Sequence, residues 1–383
     1  MRMLLSCALV SCWSAACSSD PSITSDASMS DSGVSDSTSP FDARSDGAVA
    51  SDAAQGTAAE SAYVTIASSS DFIPCRGLTL PGPSNAMGPW RTRLVLARST
   101  DGLAFTRTGK ILADQSDVPD AITLSTGEIR VYYIAACPES VANKIVFASS
   151  TNMTEWTFRS VNVTGTTDLG PQPVDPTVER TDDGKYRLYF TSAPKTGGNA
   201  RTYSALSDDG VTFALESGSR FMSDTGNVLD PTVLKIANTW HYFAGGMPGA
   251  PGTQKNYHAT SADGLTFTRQ TDFSSEGVLM ANGLAVSGGY RYYGFVQSPG
   301  TASIRSLFTS DGASWKLEDG FRLDVDSSSA IEQDGVKDPG VTKATDGTYW
   351  MIYSTMMKGV DRPDGGTPPP PDGGMPPPQD GGK

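Results

Sequence analysis

Histidine is nearly absent from this sequence, which has only His241 and His258 among 383 residues. That count excludes zinc sites built from several imidazoles and proton relays that pass through several histidines. A nucleophile elbow, a phosphate-binding P-loop and a dinucleotide-binding fingerprint are also missing. We therefore expect no metal and no cofactor, and carboxylates remain as the candidate groups for acid–base chemistry.

Basic residues are scarce relative to acidic ones, 29 against 42, and the net charge is −13. No basic stripe is present, so nucleic acids and anionic membrane surfaces are poor candidate partners. The segment 18–60 holds eight acidic residues, one arginine and one aromatic residue. Such a segment cannot bury enough apolar surface to offset its ordering entropy. We predict a disordered tether over residues 17–60.

Long apolar runs are missing too, and the stretch Met3–Trp13 is too short to span a bilayer. It follows Arg2 and ends at the small residues 14–16, which indicates an export signal over residues 1–16. The junction with Cys17 resembles the lipobox of bacterial lipoproteins, with Ser14 in place of the usual leucine. The resemblance implies a lipid on Cys17 and a place in the cell envelope. Secretion without a lipid is the alternative.

The five cysteines support export. Cys7 and Cys12 lie within the signal, and Cys17 is the lipidation candidate. Cys75 and Cys137 remain, and an even pair in an oxidising compartment predicts a disulfide. Two separate buried thiols are the alternative. The tail, residues 359–383, repeats Pro with Asp-Gly-Gly and predicts an extended, disordered spacer. The folded part is then residues 61–358.

The folded part contains a five-fold repeat. Its first motif has Ser or Thr, then Asp or Asn two residues later, then an aromatic residue four positions further on. The copies are Ser99-Asp101-Phe105, Ser150-Asn152-Trp156, Ser207-Asp209-Phe213, Ser261-Asp263-Phe267 and Thr309-Asp311-Trp315. The aromatic residues step by 51, 57, 54 and 48 positions. Asp-Gly supplies the positive φ of a tight hairpin turn, so each copy predicts a hairpin.

A second motif alternates with the first and leads, in most copies, from an Asp-Pro pair into a strand with aromatic residues. The leading residues are Asp120, Asp175, Asp230, Asn282 and Asp338. Each period of about 54 residues therefore holds two hairpins, or four strands. Radially repeated four-stranded sheets form a β-propeller. We predict an all-β fold with five four-stranded blades, in which the first and last hairpins pair to close the ring and remove free sheet edges.

Proline after the leading aspartates is tolerated at a strand start, which favours these strands as the innermost ones. Asp120, Asp175, Asp230 and Asp338 then converge on one funnel. The pattern resembles the arabinanase, levansucrase and invertase superfamily, nearest to family 43 glycoside hydrolases, over nearly all of residues 93–354. The resemblance implies a general base at Asp120 and a pKa-modulating aspartate at Asp175. The general acid of that family is a glutamate, and this chain has Asp230 there.

Other carboxylates are open as proton donors, namely Glu276 and Glu332. Asp338, Glu276 and Trp90 are candidates for binding substrate, Trp90 by stacking on a sugar ring. The alternative for each aspartate is that it caps its own turn. The main hypothesis is a monomeric glycoside hydrolase that acts on neutral oligo- or polysaccharides by an inverting mechanism. The alternatives are a non-catalytic propeller that binds carbohydrate or protein, and a glycoside phosphorylase, which needs basic residues in the funnel.

Overall fold

The computed structural model describes residues 59–77, 88–170, 173–246, 254–298, 301–332 and 335–357. The predicted signal peptide, Cys17, the tether up to residue 58 and the tail 359–383 lie outside these residues. Helical structure in the described ranges consists of three short 3₁₀ turns, Glu60–Ala62, Pro89–Arg91 and Glu139–Val141. No helix in these ranges is long and apolar enough to cross a membrane.

The strands fall into six groups along the chain. Three precede the first blade, β1 (Thr65–Ile66), β2 (Thr92–Ser99) and β3 (Thr106–Asp114). Blade 1 contributes β4 (Ser116–Thr123), β5 (Ile129–Ala135), β6 (Lys144–Ser150) and β7 (Glu155–Ser160). Blade 2 contains β8 (Asn162–Thr164), β9 (Val174–Arg180), β10 (Tyr186–Ser192), β11 (Arg201–Ser207) and β12 (Thr212–Leu215).

The remaining strands build three more blades. Blade 3 contains β13 (Leu229–Ile236), β14 (Thr239–Gly245), β15 (Tyr257–Ser261) and β16 (Thr268–Arg269). Blade 4 contains β17 (Leu279–Val286), β18 (Gly289–Ser298), β19 (Thr301–Thr309), β20 (Lys316–Leu317) and β21 (Leu323–Asp324). Blade 5 begins with β22 (Gly335–Lys343) and β23 (Tyr349–Met356).

These sheets form a five-bladed β-propeller, as the repeats predict. The inner strands are β4, β9, β13, β17 and β22, and each contacts the inner strand of the next blade. Each blade has the four expected strands. Blades 1 and 2 add an outer parallel strand, β1 on β7 and β8 on β12, and β21 pairs with β19 in blade 4.

Ring closure also follows the prediction. β2 pairs antiparallel with β23 over the full length of both strands, so blade 5 has the order β22-β23-β2-β3. Two strands from each end of the domain complete one sheet. Because the backbone N–H and C=O groups that β2 and β23 direct at each other are then hydrogen-bonded, neither end of the domain leaves a long free edge.

The repeated Ser-x-Asp turns are ordered by their own side chains. In the first copy the Asp101 carboxylate accepts hydrogen bonds from the N–H groups of Leu103 and Ala104 at 2.8 and 2.9 Å. The Ser99 hydroxyl accepts one from Gly102 at 2.9 Å. The same bonds recur at Asn152, Asp209, Asp263 and Asp311. These side chains satisfy turn N–H groups that the sheet leaves unpaired.

Neighbouring blades are joined at these turns by tyrosine side chains. The hydroxyls of Tyr132, Tyr189 and Tyr293 donate to the turn-glycine carbonyls of the next blade, each at 2.8 Å. The acceptors are Gly210, Gly264 and Gly102. A side chain on these glycines has no room, since a Cβ on Gly264 would lie 2.9 Å from the Tyr189 hydroxyl.

Two junctions lack this tyrosine bond. Between blades 3 and 4, Phe243 occupies the tyrosine position, and a Cβ on the turn glycine Gly312 would lie 2.6 Å from His241 Nε2. The other is the junction of blades 5 and 1. Ile352 occupies the tyrosine position of blade 5, because it pairs with Gly340 as Tyr189 pairs with Thr177. The facing turn of blade 1 has Met153 where the other blades have glycine, and both apolar side chains are buried in one cluster. With Ile352 at the tyrosine position, this turn accepts a methionine that packs against the neighbouring blade.

The N-terminal segment crosses the outside of the closing junction. Tyr63 forms a parallel bridge with Ile111 of blade 5, and β1 pairs with β7 of blade 1. A disulfide joins Cys75 to Cys137 across 62 positions with the Cα atoms 5.7 Å apart. This is the pairing expected from the cysteine count.

Candidate functional site

Each of four inner strands begins with a bulge that contains one left-handed residue. The residues are Val118, Asp175, Asp230 and Asp338, with φ between 44° and 53°. At each bulge two residues of the inner strand oppose one residue of its neighbour. Aspartate tolerates this backbone region better than most residues, whereas a β-branched valine there is strained. Bulges re-aim side chains and are frequent next to functional sites.

The register corrects the position of Asp120. Asp120 pairs with Tyr132 as Thr177 pairs with Tyr189, so the residue equivalent to Asp175 is Val118. The prolines align, and the aspartate of blade 1 follows its proline instead of preceding it. Asp120 therefore lies two residues further along the inner strand than Asp175. The expectation that Asp120 leads its strand is wrong.

The structure brings Asp175, Asp230 and Asp338 together at the mouth of the ring. The backbone N–H of Asp230 donates to the Asp175 carboxylate at 3.3 Å. Burial raises the pKa of both groups, and for Asp230 the negative charges of Asp175 and Asp338 raise it further. The Asp230 carboxyl accepts no hydrogen bond from the described residues. These conditions favour its protonated form.

Two residues at the mouth were not anticipated from the sequence. The Lys337 ammonium lies 2.7 Å from the Asp117 carboxylate and also bonds to the carboxylate of Asp338. All three side chains are buried. Asp117 and Lys337 both stand immediately before the left-handed residue of their strands. The signal available in the sequence was therefore the position two residues before the proline.

We call Asp117, Asp175, Asp230, Asp338 and Lys337 the mouth cluster. Burial lowers the pKa of the Lys337 ammonium, but its two carboxylate partners outweigh this and raise it above the usual value. Burial raises the pKa of Asp338 to about 6, against the opposing effect of Lys337. The cluster therefore combines a fixed cation, a carboxyl group with a pKa of about 6 and a carboxyl group whose protonated form is favoured.

Asp120 forms a second layer beneath the mouth cluster. Its carboxylate accepts hydrogen bonds from the Val178 N–H and from the Asn282 side-chain amide, both at 2.8 Å. The amide oxygen of Asn282 in turn accepts from the Val341 N–H at 2.8 Å. The N–H groups of Val178 and Val341 belong to inner strands, whose side facing the axis of the ring has no neighbouring strand to pair with them. Burial raises the pKa of Asp120 to about 6.

The other predicted site residues lie in different surroundings. The Glu276 side chain is 70% exposed and pairs with Arg305 at 3.7 Å. Glu332 is buried and accepts from Arg107 at 2.7 Å and from the Tyr353 hydroxyl. Trp90 is half-buried in a 3₁₀ turn, and its carbonyl accepts from Gln115 at 3.2 Å. The geometry gives neither glutamate a place in the mouth cluster.

Two open depressions occur elsewhere on the described surface, with volumes of about 410 and 680 Å³. The smaller is lined mainly by hydroxyl side chains of blade 3, and the larger by the edge of blade 2 near Lys195 and Arg201. Neither includes a mouth-cluster residue. We base the functional argument on the mouth cluster, because carboxyl groups of different protonation state meet there.

No family model and no curated protein matches this chain. Solved structures with a similar fold include a thermostable family-43 glycoside hydrolase, with 14% identity, 67% of this chain and 97% of that chain covered, and a TM-score of 0.48. An α-L-arabinofuranosidase from Lactobacillus brevis matches with 16% identity over 64% of this chain and 85% of that chain, and the TM-score is 0.47. A family-32 β-fructofuranosidase from Bombyx mori matches with 16% identity over 63% of this chain and 55% of that chain, and the TM-score is 0.47.

Proposed function

We propose that this protein is a glycoside hydrolase that cleaves neutral glycosides with inversion at the anomeric carbon. One observation carries the proposal: four blades bring buried or half-buried aspartates to one mouth, where a cation contacts only two of them. Inverting hydrolysis needs a protonated carboxyl group to protonate the leaving oxygen and a carboxylate to activate a water molecule. The mouth cluster offers one of each.

Asp230 is the proposed general acid. Its side chain is half-buried, and its carboxyl accepts no hydrogen bond from the described residues. It stands next to the Asp175 carboxylate, which accepts a hydrogen bond from the Asp230 N–H at 3.3 Å. A like charge so close disfavours ionisation. Asp230 therefore holds a proton at neutral pH and delivers it to the glycosidic oxygen. Asp175 acts through its charge on Asp230, which is the modulating role implied for it by the resemblance.

Asp338 is the proposed general base, in place of Asp120. Asp338 pairs with the Lys337 ammonium and has a pKa of about 6, so it is ionised at pH 7. Blades 3 and 5 are separated by blade 4, so Asp230 and Asp338 approach the mouth from different walls. A sugar held between them receives a proton on one side and a water molecule on the other. The Asp120 carboxylate is engaged below, where both oxygens accept protein hydrogen bonds.

Charge at the mouth favours a neutral substrate. Four carboxyl groups face one ammonium, so an anionic sugar meets net negative charge in a site where little water screens it. Phosphate meets the same repulsion. Within the described part of the chain, the cation that contacts the mouth aspartates is Lys337, and both of its ion pairs are with carboxylates. This arrangement favours hydrolysis over phosphorolysis.

The test is hydrolysis of aryl arabinosides, xylosides and galactosides, with the anomer of the first product identified by NMR. Asp230→Asn and Asp338→Asn should each lower kcat/KM by about 10²- to 10⁴-fold. Asp263→Asn is the matched control, because Asn152 already fills the equivalent turn of blade 1. An inactive wild type that binds oligosaccharides at the mouth establishes the binding-propeller alternative instead.

We also propose that the propeller is attached to the cell envelope through a lipid on Cys17. The acidic tether then separates the mouth from the membrane. This proposal is supported by the Ser14–Cys17 junction and by the composition of residues 18–60.

A further inference from the structure

Lys337 occupies an unusual position for a lysine, because its ammonium is buried and holds two carboxylates at once. The side chain is 10% exposed, its Nζ lies 2.7 Å from Asp117, and it also bonds to the adjacent Asp338. A buried ammonium without partners loses its hydration and costs several kcal/mol. The two carboxylates replace that hydration, so the three groups form one charged unit.

The unit joins two blades at the closing junction. Lys337 belongs to β22 of blade 5 and Asp117 to β4 of blade 1, and both occupy the position just before the left-handed residue. Gly340 lets the two strands approach, since a Cβ there would lie 2.6 Å from the Pro119 carbonyl oxygen. The ammonium is thus fixed between two rigid strands instead of being carried on a loop.

The distribution of contacts sorts the four carboxyl groups into two sets. Asp117 and Asp338 touch the ammonium, whereas Asp175 and Asp230 have it only as a more distant charge. One cation cannot stabilise four buried negative charges, because each unpaired buried charge is strongly disfavoured. The contact with Lys337 favours the ionised form of Asp338, whereas Asp230, which lies beside the charge of Asp175 and has the ammonium only at a distance, retains its proton.

We propose that Lys337 is a positioning residue that assigns the base role to Asp338 and leaves Asp230 as the acid. This inference rests on the proposed function. Lys337 touches no reacting atom in this account. It acts by holding the Asp338 carboxylate ionised and by fixing its position against Asp117.

The groups that face Asp338 are Lys337, Asp117 of β4, Asp175 of β9 and Asp230 of β13. Changes at Lys337 and at Asp117 should therefore shift its titration in opposite directions. Lys337→Met removes the cation, so Asp338 should ionise at higher pH. The acidic limb of the kcat/KM profile should rise by about one to three pH units. Activity at pH 6 should then fall at least fivefold and recover in alkaline buffer. Asp117→Asn removes a negative charge, so the same limb should move to lower pH.

Lys337→Arg is the conservative control and should restore the wild-type limb, since it keeps a cation at this place. A purely structural lysine gives a different result, in which Lys337→Met lowers activity equally at every pH and Asp117→Asn moves nothing. That result overturns the proposal. The opposite shifts also keep the test valid if one variant folds poorly.

A second readout separates this inference from the proposed function. Carboxyl ¹³C NMR on protein labelled at the aspartate side chain follows the titration of Asp338 directly, with Asp338→Asn giving the assignment. An upward shift in Lys337→Met together with an inactive wild type means that the charge sorting is correct and the hydrolase proposal is wrong. An unchanged Asp338 titration in an active enzyme overturns the role of Lys337 alone.

Discussion

The side-chain amide of Asn282 donates a hydrogen bond of 2.8 Å to the carboxylate of Asp120, and so connects blades 4 and 1, which are not neighbours in the ring. The contact is made across blade 5, whose residue at the same strand position is Gly340. With no side chain in between, the two polar groups meet. They cap free N–H groups of blades 2 and 5 and form a polar layer below the mouth cluster.

Asp120 should make folding stability fall as pH rises. Its pKa is raised by burial from 3.8 to about 6, so between these values the unfolded chain has lost the proton that the folded chain keeps. Stability is therefore highest below pH 3.8 with respect to this group and declines until about pH 6. The full loss is about 3 kcal/mol. Urea unfolding between pH 4 and 7 should show this decline in unfolding free energy. Asp120→Asn should remove the part of the decline that Asp120 contributes.

The matching control is an aspartate with the opposite behaviour. Turn N–H groups lower the pKa of Asp101 to about 2, so its contribution is present above pH 3.8 and is lost as pH falls toward 2. Asp101→Asn should leave the decline between pH 4 and 7 unchanged. Equal pH dependence in wild type and Asp120→Asn would show that Asp120 is ionised at no cost in the folded protein.

The contact of Tyr189 with the Gly264 turn should appear as a coupling energy between blades 2 and 3. Gly264→Ala places a Cβ 2.9 Å from the tyrosine hydroxyl and also strains a backbone at φ 71°. We expect a loss of about 1–3 kcal/mol in unfolding free energy. Tyr189→Phe alone should lose about 1 kcal/mol with its hydrogen bond. The double variant should lose less than the sum, because removing the hydroxyl makes room for the new methyl group.

Gly109 separates strain from steric conflict in that measurement. Its φ of 70° matches that of Gly264, but a Cβ there meets nothing within 4 Å. Gly109→Ala should therefore show the backbone cost alone. If Gly264→Ala costs no more than Gly109→Ala, the tyrosine contact does not restrict the turn.

The disulfide should stabilise the closing junction. It links the N-terminal segment to the loop after β5 and closes a separation of 62 residues. Loop entropy gives a contribution of about 4 kcal/mol. The double variant Cys75→Ser/Cys137→Ser should have an unfolding free energy lower by that amount, and its denaturant midpoint should fall accordingly. Alkylation of the native protein without reductant, followed by mass spectrometry, should label neither thiol, and labelling of both would disprove the bond.

Lipidation of Cys17 is a separate prediction about residues outside the described structure. The full-length protein should partition into the detergent phase when expressed in a bacterium, and Cys17→Ala should partition into the aqueous phase or stay unprocessed. The physical reason is the free energy of burying acyl chains, about 0.8 kcal/mol for each methylene group. Equal partitioning of both forms contradicts the lipobox interpretation. Cys12→Ala is the control, because it changes a cysteine inside the predicted signal.

The fold was predictable because its determinants are local and repeated. Each blade encodes its own turn residues, and five copies at near-constant spacing permit few other architectures. The closing pair β2–β23 followed from the two hairpins that lacked partners. The bulge, by contrast, inserts a residue into an inner strand, and an alignment of sequence letters does not show which residue takes positive φ. The sequence pattern therefore aligns Asp120 with Asp175, although the structure aligns Val118 with it.

The sequence by itself determined five blades, their order and the aspartates near the axis, because turn chemistry and strand periodicity act over a few residues. Only the tertiary structure decided which carboxylate faces which partner. The Lys337–Asp117 ion pair joins positions 220 residues apart, and the Asp120–Asn282 bond depends on a glycine in a third blade. Protonation in the mouth cluster is set by burial and by charges from four blades. Those distances exist only after the ring has closed.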